Sequence, residues 1–315
     1  MGIVNKEAEI DELLHEAILK IILKVPELTI YNKCVNIVIG SSLGRIEEQL
    51  IEYAALSKVT TKFYDCGAKI KKRFCMVRDI YFVSNTCVTG VDALLLAQAL
   101  IEHDKCPCLI LTADVNGKFI KQGLKVMHLL STDKTMRPFA KNRNGMVLRT
   151  QSIALLVDKE SVSVKNTSYG RIVYAINGIS NIDEFSIDIG LLNTLEAVKK
   201  RLSKKVDLVI SAANGTHSND IIQANTIREA FGSSVPVSSF KHVDNHTLSS
   251  SVLNDITKIL RIWNENYEIK SIDYELDNIN INIIKTFDWL KGSCETVICI
   301  GVGLPKMHGV IVLCK

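Results

Sequence analysis

Apolar residues recur every three or four positions over residues 7–24, 43–55, 91–103, 191–204, 218–231 and 248–263. That spacing lays one apolar stripe along a helix. Between these stretches lie short runs of β-branched and aliphatic residues, at 35–39, 80–83, 108–112, 153–157, 206–210, 235–238, 297–300 and 310–313. Runs so nearly apolar throughout predict strands covered on both faces. Strands alternating with helices predict α/β layers and largely parallel sheets. The order occurs twice. Each set closes in a strand near a Gly-bearing turn, Asn144-Gly145 ahead of 153–157 and His308-Gly309 ahead of 310–313. A Ser-, Lys- and Asn-rich break at 159–168 is the natural seam, giving halves of 1–160 and 161–315. With no low-complexity linker between them, the halves are expected to share one core.

Composition narrows this picture. At 315 residues, 47% hydrophobic and 23% charged, the chain can bury a large core without disulfides or metals. No apolar run reaches the roughly 20 residues of a membrane span, and residues 1–11 are too polar and acidic for a signal peptide. A cytoplasmic protein without membrane contact is expected. Nine scattered cysteines suit a reducing compartment. Cys106-Pro107-Cys108 is a close pair without the further ligands of a zinc site, so no metal is expected. The basic clusters at 69–73 and 199–205 suit solvated faces or an acidic partner. Nucleic acid is not expected, with aromatics at 6% and no reading motif.

One short segment carries candidate chemistry. Ser84-Asn85-Thr86-Cys87-Val88-Thr89-Gly90 joins an apolar strand to the helix expected from Val91. A cysteine at a helix start meets unpaired N–H groups and the positive end of the helix dipole, which favour a thiolate. Position alone leaves a buried structural cysteine equally open.

Here the chain resembles the β-ketoacyl synthases of the thiolase superfamily. The segment from Thr86 to Gly90 is similar to their nucleophile turn. Arg137-Pro138-Phe139 through Arg143-Asn144-Gly145 resembles their Arg-Pro-Phe-Asp-x-x-Arg-Asp-Gly stretch, and Asn214-Gly215-Thr216 with Asn219-Asp220 their His-Gly-Thr segment. Ser238-Ser239-Phe240-Lys241 through His246-Thr247-Leu248 resembles their Ser-Ser-x-Lys and Gly-His-Thr-Leu block, and Gly301-Val302-Gly303 their closing Gly-Phe-Gly turn. The ordered set spans about 35–313. It implies a thiolase-like duplicated βαβα fold in five αβαβα layers.

The resemblance also implies a site. Cys87 accepts the acyl group, and Asn214 and His246 supply oxyanion donors. Lys241 pairs with Asp255, where the family carries a glutamate. Backbone N–H groups of Cys87 and of Gly301 or Val302 form the acyl oxyanion hole, and Thr216 and Ser218 line a pantetheine tunnel. Asn214 stands where the family has its first histidine, and Cys299 begins a Cys-x-Gly-x-Gly turn of thiolase shape. That mixture leaves three alternatives. They are decarboxylative Claisen condensation in fatty-acid or polyketide biosynthesis, thiolase-like or simple acyl transfer with Cys299 as base, and a non-catalytic partner like the chain-length-setting subunits. Substrates would arrive on acyl carrier protein or coenzyme A, with no bound cofactor. A homodimer, or a heterodimer with a second ketosynthase-like subunit, is implied, pairing through the strand at 108–112. The altered Arg149-Thr150-Gln151 and the absent first strand are departures from the family.

Overall fold

The computed structural model describes residues 10–24, 34–55, 58–60, 62–159, 169–304 and 306–315; most of the seam at 159–168 lies outside them. In chain order the strands are β1 (Val35–Gly40), β2 (Val77–Val83), β3 (Cys108–Asp114), β4 (Gln151–Val157), β5 (Arg171–Ile179), β6 (Leu208–Ile210), β7 (Pro236–Ser238), β8 (Asn282–Ile283), β9 (Thr296–Gly303) and β10 (Met307–Cys314). The helices are α1 (Ile10–Lys24), α2 (Ile46–Ala54), α3 (Asp65–Arg73), α4 (Thr89–Asp104), α5 (Lys118–Val126), α6 (Ile189–Arg201), α7 (His217–Phe231), α8 (Lys241–Asp244), α9 (Ser251–Asn264) and α10 (Leu290–Ser293).

Two sheets form, ordered β2-β1-β3-β4 and β5-β10-β9-β6-β7-β8. In the first, β1 is parallel to β2 and β3, and β4 runs antiparallel to β3. In the second, β6 is parallel to β7 and β9, and β10 runs antiparallel to β9. The series β2-β1-β3-β4 and β7-β6-β9-β10 therefore repeat one order with one set of directions. β5 then adds to the far edge of β10. Among the described residues β4 carries no such strand.

Period-two alternation sorts the strand residues into layers. Cys108 and Ile110 of β3 face a central cluster, while Leu109, Leu111 and Ala113 face an outer one with α1 and α3. Val297 and Cys299 of β9 face the same central cluster, while Ile298 and Ile300 pack outward under α6 and α7. The central cluster holds α4 and α9 between the sheets. The result is five αβαβα layers, as the resemblance implied. α9 buries ten of its residues because it has sheet on either side.

Differences from the sequence-based expectation have local causes. The strand at 108–112 is no pairing edge. β3 is bonded to β1 on one side and β4 on the other, and all its residues are buried. Its apolar run reflects a central position. Among the described residues the first sheet's open edges are β2 and β4. Two short helices, α3 and α5, and the half-exposed β5 were not expected, since each buries too few residues to show a stripe. The helix expected at 248–263 opens with a 3₁₀ turn, Leu248–Ser250.

Glycines set the spacing of the central layer. A methyl at Gly309 would lie 2.6–2.9 Å from three side-chain carbons of Val91 on α4. Gly309→Ala should therefore force α4 away from β10 at a cost of about 1–3 kcal/mol. The check is urea unfolding, where the midpoint should fall with the slope unchanged.

Candidate functional site

Parallel strands of both sheets end at one edge of the central layer, and the candidate residues follow those ends. Cys87 lies four residues beyond β2, Asn214 four beyond β6, and Lys241 three beyond β7. Asp114 ends β3 and Gly303 ends β9. Open α/β sheets place ligands outside the carboxyl ends of their strands for this topological reason.

Cys87 sits on a strained turn. Thr86 adopts φ +47°, uncommon for a β-branched residue. Its carbonyl is held by Thr89 Oγ1 (2.6 Å) and Ser42 Oγ (2.6 Å), and Thr89 Oγ1 accepts in turn from the Asn85 N–H (2.8 Å). α4 then starts at Thr89, two residues past the sulfur. The Cys87 N–H donates to no described group. A side chain at Gly303 would collide with Thr86 Oγ1, so the bare methylene lets the end of β9 abut this turn. Gly301 packs instead on Val252 and Val88, and Val302 faces the outer cluster.

The half-buried Cys87 packs against the apolar cluster of Leu124, Met136, Met146, Leu148 and Leu248. Burial pushes its thiol up to about 12, the Asp114 carboxylate pushes the same way, and Lys241 opposes both. The thiolate expected from the helix start is thus outweighed by desolvation. At rest the Cys87 side chain is a thiol.

His246 borders the same cluster, through Leu148 paired with it and Leu248 two residues on. Its Nδ1 accepts from the Leu248 N–H (3.0 Å) and lies 3.0 Å from Ser251 Oγ. Burial, reinforced by Lys241, holds the imidazole down at about 3. The ring is therefore neutral, and with Nδ1 accepting, its proton resides on Nε2. His246 presents a donor. Asn245 and Leu248, at φ +63° and +52°, shape the loop that carries it.

Lys241 Nζ lies 3.7 Å from Asp255 Oδ2, both buried. A second pair, the buried Lys258 with the partly buried Asp244, stands beside it, and Arg149 reaches Asp244 from the surface. Burial raises the Asp255 carboxyl against the pull of Lys241 and Lys258. Cys299 is fully buried in the central cluster, its thiol raised well above the usual range by burial and then Asp255. It stands near the Lys241–Asp255 pair as a neutral thiol.

Asn214 is positioned by a neighbour that the sequence pattern gave no role. Asp220, fully buried on α7, accepts from the N–H groups of Asn214 (2.8 Å), Gly215 (3.1 Å) and Phe139 (2.7 Å). Phe139 is thereby kept at φ +62°. The Gly145 N–H donates to the Gly215 carbonyl at 2.8 Å, so the 137–145 and 214–216 motifs form one unit. Burial pushes the Asp220 carboxyl up to about 6 despite these donors. Asn214 Oδ1 accepts from Thr216 Oγ1 (2.7 Å) and the Thr216 N–H (3.1 Å), leaving Nδ2 as its free donor. No hydrogen bond joins Asn214 to Cys87 or His246 among the described residues. Thr216 is buried at the start of α7, and Ser218 is exposed. His217 is exposed, and His242 stacks on Phe287.

Among solved structures the chain is similar to an oxazolomycin ketosynthase domain of Streptomyces albus, with TM-score 0.80 and 15% identity over 97% of this chain and 59% of that one. It is also similar to a β-ketoacyl synthase of Burkholderia phymatum, with TM-score 0.77 and 17% identity over 98% and 82%. A third is a ketosynthase in complex with its chain length factor from Xenorhabdus doucetiae, with TM-score 0.75 and 15% identity over 96% and 80%. No family model and no curated protein matches the sequence. The chain thus has the thiolase-like fold of ketosynthases, spanning about three fifths of the first of these domains. No helix among the described residues is long and apolar enough to cross a membrane.

The His246 state has a consequence for stability. A pKa held near 3 against an unfolded value near 6.5 means the unfolded chain binds more protons between those limits. Stability present above pH 6.5 is lost as pH falls toward 3. His246→Gln should flatten that loss, so wild type should drop about 2 kcal/mol more than the variant between pH 7 and pH 4.5 in urea unfolding.

Proposed function

We propose that this chain is a β-ketoacyl synthase-like acyltransferase working by decarboxylative condensation. The observation that carries this reading is the neutral His246, fixed with its proton on Nε2 and bordering, through Leu148 and Leu248, the apolar cluster against which a protonated Cys87 packs at a strained helix start. A thioester on a carrier protein or coenzyme A transfers its acyl group to Cys87. The new S–C bond forms as the old C–S bond breaks, and the Cys87 proton leaves with the departing thiol. A malonyl thioester then loses carbon dioxide, and the electron pair left on its α-carbon attacks the Cys87 acyl carbonyl. The Cys87 sulfur departs and takes up a proton.

Enolate formation puts charge on the malonyl thioester oxygen, where the Nε2–H of His246 and the Nδ2 of Asn214 are the donors offered. The unpaired N–H of Cys87, with Gly301 or Val302, serves the acyl oxyanion. Thr216 and Ser218 suit a pantetheine arm at the start of α7. Lys241 and Asp255 hold the site's charge balance. Decarboxylation needs no strong base, which agrees with a neutral, enclosed Cys299 and counts against the thiolase-like alternative. The reading carries a cytoplasmic dimer, either of this chain or with a second ketosynthase-like subunit, and no tightly held cofactor.

A second reading, a non-catalytic partner subunit, is favoured by the thiol's rise to about 12 and by the open edge of β4. The two separate by experiment. Intact-protein mass spectrometry with a panel of acyl-carrier and acyl-coenzyme A thioesters should show one acyl adduct, abolished in Cys87→Ala. His246→Ala should slow carbon dioxide release from a malonyl thioester about a hundredfold or more. Asn214→His should preserve condensation, since it exchanges one N–H donor for another. A chain that never acylates, alone or with a partner, is the second reading's outcome. Acylation without carbon dioxide release leaves simple acyl transfer.

A further inference from the structure

Asp114 ends β3 at the same carboxyl edge, 1% exposed, and no ion pair reaches it among the described residues. Its Oδ1 accepts from Ser41 Oγ (2.6 Å), the Ser42 N–H (3.0 Å) and the Leu43 N–H (3.1 Å), and its Oδ2 from the Ser249 N–H (2.9 Å). These donors belong to the segment after β1 and to the 3₁₀ turn before α9. Ser42, held by its N–H, donates its own hydroxyl to the Thr86 carbonyl at 2.6 Å. The Ser249 carbonyl closes on Gly90, where a methyl would lie 3.0 Å away. One carboxylate thus ties together the segments that enclose Cys87. Sequence gave no hint of it, since an aspartate ending a strand reads as a turn residue.

We infer that Asp114 is a positioning residue for Cys87, fixing the nucleophile turn through Ser42 and the facing 3₁₀ turn through Ser249. The Ser41 hydroxyl and three backbone N–H groups satisfy its oxygens, and the carboxylate they hold weighs against ionisation of the sulfur. Other charged groups around the sulfur are arranged differently. Lys241 on α8 acts in the opposite sense, His246 is neutral, and Asp92 on α4 is engaged by Asn85 (2.7 Å) and Asn177 (2.6 Å). The α5 lysines 118, 121 and 125 are exposed, Asp133 pairs with Arg137, and Arg149 with Asp244. A protonated sulfur kept beside a fixed anion resists stray oxidation and alkylation, which proceed through the thiolate.

The inference rests on Cys87 being the nucleophile, and its test needs no acyl donor. Cys87 in the full chain is alkylated with short pulses of iodoacetamide from pH 7 to pH 12.5, a range that brackets the raised midpoint, and followed by peptide mass spectrometry. Asp114→Asn, which removes the charge and keeps the shape, should shift the midpoint of alkylation down by about one pH unit. A purely structural aspartate would leave the midpoint where it is, and an unchanged or raised midpoint in a folded variant overturns the inference. If Asp114→Asn does not fold, Ser42→Ala tests the positioning link. It should change the alkylation rate at fixed pH about tenfold without moving the midpoint, and a rate equal to wild type overturns the inference. A shifted midpoint in a protein that forms no acyl-enzyme would show Asp114 acting on the Cys87 sulfur while the ketosynthase reading fails, so the two failures are read separately.

Discussion

The close packing of α4 and α9 between two sheets is the constraint on which the rest of this molecule depends. Both helices are wedged where the strands of each sheet end, and the fit is set by missing side chains. At Gly90 a methyl would come within 3.0 Å of Leu253 and of the Ser249 carbonyl, and at Gly301 within 2.5 Å of Val252. Larger residues would spread the layer and separate the strand ends that bear Cys87, Lys241 and Gly303. Protein interiors at crystal-like density have no slack to absorb such a shift. Cys87 is thus located by the core, and the loops around it adjust to that position.

What the core does not decide is backbone strain at the same edge. Thr86, Phe139, Asn245 and Leu248 all take positive φ, and all fall within the motifs that resemble ketosynthases. Each costs of order 1–3 kcal/mol and persists only where its surroundings over-determine it. Thr86 is held by Ser42 and Thr89, Phe139 by Asp220, and Leu248 by His246. The clamps are buried polar groups, which tolerate few alternatives because an unmet partner is expensive in the interior. Strain and clamps together make the edge a single rigid arrangement.

The layered fold was legible because its signal is local. β3 and β9 show continuous apolar runs since both faces are covered, and α9 shows its stripe over four turns. β5 was missed because one side of it remains half-exposed, which breaks the run, and α3 buries only Cys66, Gly67 and Ile70. The site divides along the same line. Cys87, Asn214, Lys241 and His246 lie in short motifs readable in order. Asp220 was visible in its motif without a role, and Asp114 was not marked at all. Its partners Ser42 and Ser249 lie 72 and 135 residues away in sequence. No window of the chain contains both ends of such a contact. The expected thiolate failed for a related reason, since a helix start is a local feature and desolvation is a tertiary one.

The mixed signature of the sequence, an asparagine where ketosynthases carry histidine and a cysteine in a thiolase-like turn, looks different once each atom is placed. Asn214 commits its oxygen to Thr216, so only its amide hydrogens remain to meet a substrate. His246 commits Nδ1 to Leu248, so only its Nε2–H remains. Two chemically different side chains therefore offer the same thing, a neutral donor without an acceptor. A site of neutral donors stabilises a developing oxyanion and cannot accept a proton. Cys299 could have supplied the missing base, but the alternation of β9 points it into the central cluster, where burial keeps it protonated. On the proposed reading no strong base is needed, since a departing carboxylate leaves its own electron pair behind. The asparagine and the cysteine that suggested thiolase chemistry in the sequence are, in three dimensions, compatible with decarboxylation.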